Sequence, residues 1–280
     1  MLQKLLKYDL RHVFKYWWIL AVASLGLSVV GGVCFNIIYS FAESEPTGIA
    51  VLLMIAAIFG MIVSILGISA FIIGNEIFIF ERFYRNFFTD EGYLTFTLPV
   101  KRSDLLNSKI LMAFIANVAT FGVCILDIVV FFLISPIRQE LFDIFGTGFS
   151  EMIASEMIGA ILGITIVVIY FIIELILGSI LGTLLIFACI TVASVIAKKH
   201  KLLAAIGIYY VGSAIASIVV QVGATFTTLG LAFLLEGTPE PLQGITSLIV
   251  IIVQILISAV LCLGLYTAQL RLLDKKLNLS

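Results

Sequence analysis

From Met157 to Ala197 the chain runs for 41 residues with one charge, Glu174. A run of this length and polarity constrains the fold more than any other feature. In hydrocarbon every backbone N–H and C=O must be satisfied within the segment, which leaves the α-helix as the spanning form. A helix of 41 residues is about 60 Å long, twice the thickness of the hydrocarbon layer. Two full crossings would instead return the chain to the side it left. The rest of the sequence is of the same kind, 62% hydrophobic and 12% charged, with a mean hydropathy of +1.22. Such a composition excludes a water-soluble domain. Cys34, Cys124, Cys189 and Cys262 all sit inside apolar runs, without CxxC or Cys/His metal spacing, and read as small buried hydrophobes. A net charge of −1 gives no basic surface for nucleic acid.

The predicted fold is an all-α polytopic membrane protein, a single transmembrane domain over 1–280. Residues 1–16 read as an amphipathic interfacial helix. Leu5, Leu6, Leu10, Val13 and Phe14 recur at helical spacing on one face, and Lys4, Lys7, Arg11 and Lys15 on another. Trp17 and Trp18 read as its headgroup-level anchor, the aromatic counterpart of the four basic residues. Spans are expected at 17–41, 47–71, 110–135, 176–197, 202–222 and 244–268. The helical pattern of the second span continues to about Phe88. The apolar part 157–173 is left as an outward extension, a re-entrant helix or a piece packed against 222–235.

Charge sets the expected orientation. Of 16 Lys and Arg, four precede the first span, five lie in 81–109, three in 198–201 and three after the last span; Arg138 alone lies elsewhere. The three remaining connections carry Glu43, Glu45, Glu140, Asp143, Glu151, Glu156, Glu236 and Glu240. The positive-inside rule then gives six spans with both termini cytoplasmic, and rejects two full crossings within 157–197.

The stretch 81–109 is the longest polar interruption. One reading is a solvated connecting loop. The other is a cytoplasmic docking surface for a soluble partner, built round a short helix. Thr89 is then an N-cap, Asp90 and Glu91 occupy the first turn, Tyr93, Leu94, Phe96 and Leu98 present bulky apolar groups, Pro99 stops the element and Ser103 caps the next helix. Exposed aromatics rimmed by charge fit a protein contact.

The run Asp90-Glu-Gly-Tyr-Leu-Thr-Phe-Thr-Leu-Pro-Val100 with Arg102, together with the basic N-terminal helix and the six spans, resembles the permease subunit of type-2 ABC exporters (the ABC-2 type) of Gram-positive bacteria. The resemblance covers the whole architecture and implies a coupling helix between spans 2 and 3 that docks on an ATPase through Asp90, Glu91, Gly92, Tyr93, Leu94, Phe96, Leu98, Pro99 and Arg102. It further implies a bacterial cytoplasmic membrane location and pairing with a second copy or a related permease. Alternating access driven by a separate ABC ATPase, which binds ATP and Mg, would export an amphipathic peptide, lipid or drug-like compound. A departure is that the connection between spans 5 and 6 is short on polar residues.

The chain carries no chemistry of its own. Walker A, HExxH and GxSxG sequences are absent, and the two histidines, His12 and His200, lie beside basic residues as solvated groups. No catalytic residue, metal ligand or cofactor site is assigned. Two acids, Asp127 and Glu174, are the substrate-path candidates, since an ionisable group at membrane depth is costly; the alternatives are a structural hydrogen bond or a protonated buried acid for Asp127, and a structural or interfacial role for Glu174, which falls near the outer boundary of its span. Gly26, Gly31, Gly32, Gly159, Gly163, Gly178 and Gly182 have the small-xxx-small spacing of close helix packing. Two other classes stay open: a secondary transporter, which would need a midplane site and paired halves, and a membrane scaffold or assembly protein. Neither has an ATPase partner.

Overall fold

The computed structural model describes residues 2–42, 48–89, 92, 97, 101–140, 142–143, 146–147, 157–196, 201–234 and 240–275. Six long helices carry the chain: α1 (Leu2–Ala42), α2 (Gly48–Phe88), α3 (Arg102–Ile134), α4 (Met157–Ile196), α5 (Lys201–Leu234) and α6 (Glu240–Lys275). No strand occurs among the described residues. All six contain a stretch long and apolar enough to cross a membrane. The protein is an all-helical, multi-pass membrane protein.

Helix lengths refine the sequence-based boundaries. The amphipathic segment 1–16 and the first span are not separate elements: α1 is unbroken over 41 residues, because nothing between Tyr16 and Leu20 breaks a helix. Lys4, Lys7, Arg11 and Lys15 are exposed along it. The stretch 157–173 is continuous with the span that follows, α4 running 40 residues from Met157, which sets aside the re-entrant form. Within the polar stretch 81–109, helix covers both flanks, to Phe88 and from Arg102. At 1.5 Å per residue, α1, α2 and α4 are each about 60 Å long and exceed the ~30 Å hydrocarbon layer.

The chain forms two compact units. One, the α1 unit, comprises residues 7–79 and 115–164; the other, the α6 unit, comprises 1–6, 80–114 and 165–280.

The α1 unit is assembled on seven-residue spacing. Over the first part of α2 the buried residues are Ala50, Ala57, Ser64 and Phe71, a step of seven that gives way to steps of four at Asn75 and Ile79. A second row, Gly60, Gly67 and Gly74, has the same period. A side chain at each would run into Cys34, Leu27 and Leu20 of α1 respectively. Each step of seven up α2 is thus matched by a step of seven down α1, so the helices are antiparallel with glycine holes receiving α1 knobs. A strict seven-residue repeat is the pattern of left-handed helix pairs. In lipid, where apolar tails solvate Leu as well as protein does, such close backbone approach supplies the packing energy. Gly31 belongs to the same interface, its missing side chain facing Ser64.

Polar side chains tie α3 to this pair. The Trp17 indole N–H donates to Thr120 Oγ1 at 2.9 Å, and Asn75 Nδ2 donates to Asn117 Oδ1 at 2.6 Å. Trp17, Ala21 and Phe71 form a small core flanked by Phe14, Leu20 and Val123. In the α6 unit, α5 packs against α6. There Phe83 stacks on Phe187 with ring centroids 3.8 Å apart and planes at 7°, joining the end of α2 to α4. Gln269 Nε2 of α6 donates to Thr191 Oγ1 of α4 at 2.7 Å. A stacked aromatic pair adds about 0.5–1.5 kcal/mol beyond its buried area.

Candidate functional site

The candidate residues fall in two places: the flanks of 89–101, and the carboxylates inside the apolar helices.

At the first, α2 ends on a turn. Thr89 closes the last turn of α2 and has the backbone hydrogen bond of an N-cap. Its hydroxyl donates back to the Arg85 carbonyl at 2.6 Å, and its own carbonyl accepts the Gly92 N–H at 2.7 Å. Gly92 is buried, and a Cβ there would stand 2.9 Å from the Phe87 carbonyl oxygen and 3.0 Å from its carbon. Both are backbone atoms and cannot retreat, so the turn requires glycine. The cap of α3 is Lys101 rather than Ser103: its carbonyl accepts the N–H groups of Asp104 at 3.0 Å and Leu105 at 3.2 Å.

Arg102, expected at the rim of a docking surface, is partly engaged elsewhere. Its Nη1 donates to the Leu273 carbonyl at 2.8 Å, near the end of α6, where helical carbonyls lack intrahelical partners and a cation suits the dipole. One turn further on, the Tyr266 hydroxyl donates to Asn107 Oδ1 at 3.0 Å. Lys109, part of the polar stretch in sequence, is buried at 3% exposure. The start of α3 is therefore pinned to α6, and the end of α2 to α4 through Phe83 and Phe187. Asp90, Glu91, Tyr93, Leu94, Phe96, Leu98 and Pro99 lie outside the described residues.

The two substrate-path acids differ. Glu174 belongs to the α6 unit and accepts a hydrogen bond from Ser258 Oγ at 3.4 Å, the structural alternative the sequence left open. Asp127 belongs to the α1 unit, is 2% exposed, and neither carboxylate oxygen has a hydrogen-bond partner. It stands in the wall of a cavity of about 380 Å³ between α1, α2 and α3, with Ser28, Ser64 and Cys124 among the lining residues.

The two tryptophans also separate. Trp18 is 57% exposed, as an interfacial anchor requires, whereas Trp17 is 9% exposed and turned into the core. Successive helical residues point about 100° apart, so adjacent aromatics cannot share one environment. The buried stripe Asp9, Val13, Trp17, Ala21, Ser24, Ser28 at steps of three and four is the signal that assigns Trp17 to the interior. Sequence reasoning missed the row Gly60, Gly67, Gly74, whose regular spacing was visible. It favoured glycines of which Gly26, Gly178 and Gly182 have open space where a Cβ would stand. Gly159 and Gly163 lie where no side-chain surroundings are described.

Among the described residues no group of three or more His, Cys, Asp or Glu is placed to hold a metal. Comparison with protein-family models, curated proteins and solved structures gives no match. The class is thus defined by the fold alone, a six-helix polytopic membrane protein.

Proposed function

We propose that the chain is the membrane subunit of an ATP-driven exporter of the ABC-2 type, working with a separate ABC ATPase that binds ATP and Mg, and with a second permease copy or a related permease. The observation that carries this reading is how the two flanks of 89–101, the stretch whose sequence has the coupling-helix resemblance, are anchored. They are fixed to different helices of one compact unit, by Phe83 on Phe187 and by Arg102 on the Leu273 carbonyl. A push on such a segment displaces the end of α2 and the start of α3 and, through those contacts, α4 and α6. A slack connection would absorb it. Closure of the ATPase pair around ATP is the proposed source of the push, and the cargo is an amphipathic peptide, lipid or drug-like compound.

The orientation that goes with this reading puts both termini and the 89–101 segment on the cytoplasmic side of a bacterial plasma membrane. Single cysteines at Ser44, Gly148 and Thr238, in a background with Cys34, Cys124, Cys189 and Cys262 replaced by Ala, are expected to react with an impermeant maleimide on intact cells. One at Lys199 is expected to react only after lysis. External labelling at Lys199 overturns the orientation.

The functional reading is tested by affinity purification of the tagged chain from native membranes in mild detergent. Recovery with an ABC ATPase in near-stoichiometric amount is expected. Recovery of folded chain alone, from cells retaining full export, returns the protein to the scaffold or secondary-transporter class.

A further inference from the structure

We propose that the cavity beside Asp127 is a binding site for a lipophilic primary amine, with the apolar body in the groove and the ammonium on the Asp127 carboxylate. The proposal concerns the α1 unit alone and does not depend on the ATPase coupling above.

The shortage of partners round Asp127 is specific. Its polar neighbours are Ser24 and Ser28, each with one O–H to give. Those protons are committed: Ser24 donates to the Ala21 carbonyl at 2.9 Å and Ser28 to the Leu25 carbonyl at 2.8 Å. Ser64, across the cavity, donates to the Gly60 carbonyl at 2.9 Å. No Lys, Arg or His lines the space. Either hydroxyl can turn to the carboxylate only by giving up its carbonyl, so the protein offers Asp127 at most two shared hydroxyls and, from the cavity lining, no cation. Buried polar groups without partners are costly and rare, and a buried charge is normally paired. An ammonium has the complementary inventory, three donors and no acceptor.

The remaining lining fixes what carries the ammonium. Ile65, Ile72, Ile128 and Phe132 line the cavity and are themselves exposed on the surface of apolar helices, so the groove opens sideways, where a spanning helix meets lipid. Its volume, near the lower end of the ~300–1,000 Å³ typical of ligand pockets, suits one alkyl or aryl body. Asp127 lies seven residues from the end of α3 at Ile134, about 10 Å inside it. A phospholipid amine is held at the headgroup and brings a phosphate, for which the groove has no donor. If amine and acid enter neutral, the carboxyl proton passes to the amine nitrogen and the ion pair forms in place, with no third reactant.

The test uses the full chain in phosphatidylcholine nanodiscs without ATPase, with dansyl-labelled dodecylamine as probe and the matching dansyl alcohol as control. Asp127→Asn keeps size and polarity and removes the charge. At least tenfold weaker amine binding is expected in this variant, with alcohol binding unchanged. Should Asp127→Asn fail to insert, Ile128→Trp fills the groove from its exposed side and is expected to weaken amine binding to the same degree while Asp127 stays in place. Equal amine binding by wild type and an inserted Asp127→Asn, or by wild type and Ile128→Trp, overturns the proposal, as does displacement of the probe by phosphatidylethanolamine. Failure here leaves the exporter reading intact, since that is decided by ATPase recovery.

Discussion

Replacing Tyr93 and Phe96 together by Ala is expected to abolish export while leaving the chain inserted and paired. On the proposed reading these rings fill a groove on the ATPase, with Asp90, Glu91 and Arg102 at its rim. Central aromatic anchors cost roughly 2 kcal/mol or more each on truncation, so losing both would weaken docking by about a thousandfold at 1.4 kcal/mol per decade. Rim charges are screened by water and are worth at most about 1 kcal/mol. Glu91→Gln is therefore expected to retain most activity. The measurement is ATPase retention and cargo-stimulated hydrolysis by the purified complex. Wild-type values for both in the double variant would reduce 89–101 to a connecting loop. Arg102→Ala is not a clean probe of docking, because it also removes the hydrogen bond to the Leu273 carbonyl and frees the start of α3 from α6.

The second large effect is expected at Gly60. A Cβ built there stands 3.8 Å from the Cβ of Cys34, the usual spacing across a disulfide. Gly60→Cys should consequently cross-link to Cys34 under mild oxidation, nearly quantitatively, and α1 should no longer part from α2 on partial unfolding. Gly60→Leu should do the opposite. The Cys34 sulfur can swing only about one bond, so the added side chain must prise the helices apart. Overpacking of this kind costs typically 1–3 kcal/mol, a large share of a total stability of about 5–15 kcal/mol. Gly182→Leu is the control, since nothing lies within 4 Å of a Cβ at that position; its unfolding midpoint should stay close to wild type. The readouts are a gel shift for the cross-link and thermal unfolding in detergent for the leucine variants. No cross-link in Gly60→Cys, or a Gly182→Leu variant as unstable as Gly60→Leu, would refute the α1–α2 register.

The two positions also separate local from long-range information. Hydropathy is a sum over neighbours in the chain, and lipid demands long apolar helices whatever they pack against. The sequence alone therefore determined the all-helical class, the six spanning stretches and the continuation of α2 to Phe88. It could not determine which face of each helix meets protein. In water a buried stripe stands out from a polar one, but in lipid both faces are apolar. Along α4, Leu184, Phe187 and Ile190 are buried while Ile169, Ile172 and Ile176 are exposed, and the residue types do not tell them apart. Tertiary structure alone turned Trp17 inward and Trp18 outward, matched Gly60 and Gly67 to Cys34 and Leu27, and carried Arg102 to the end of α6. It also gave Glu174 a partner in Ser258 and left Asp127 with none. Each of these is decided by a residue from a distant part of the chain. Helix pairing supplies such neighbours, and a window of local sequence does not contain them.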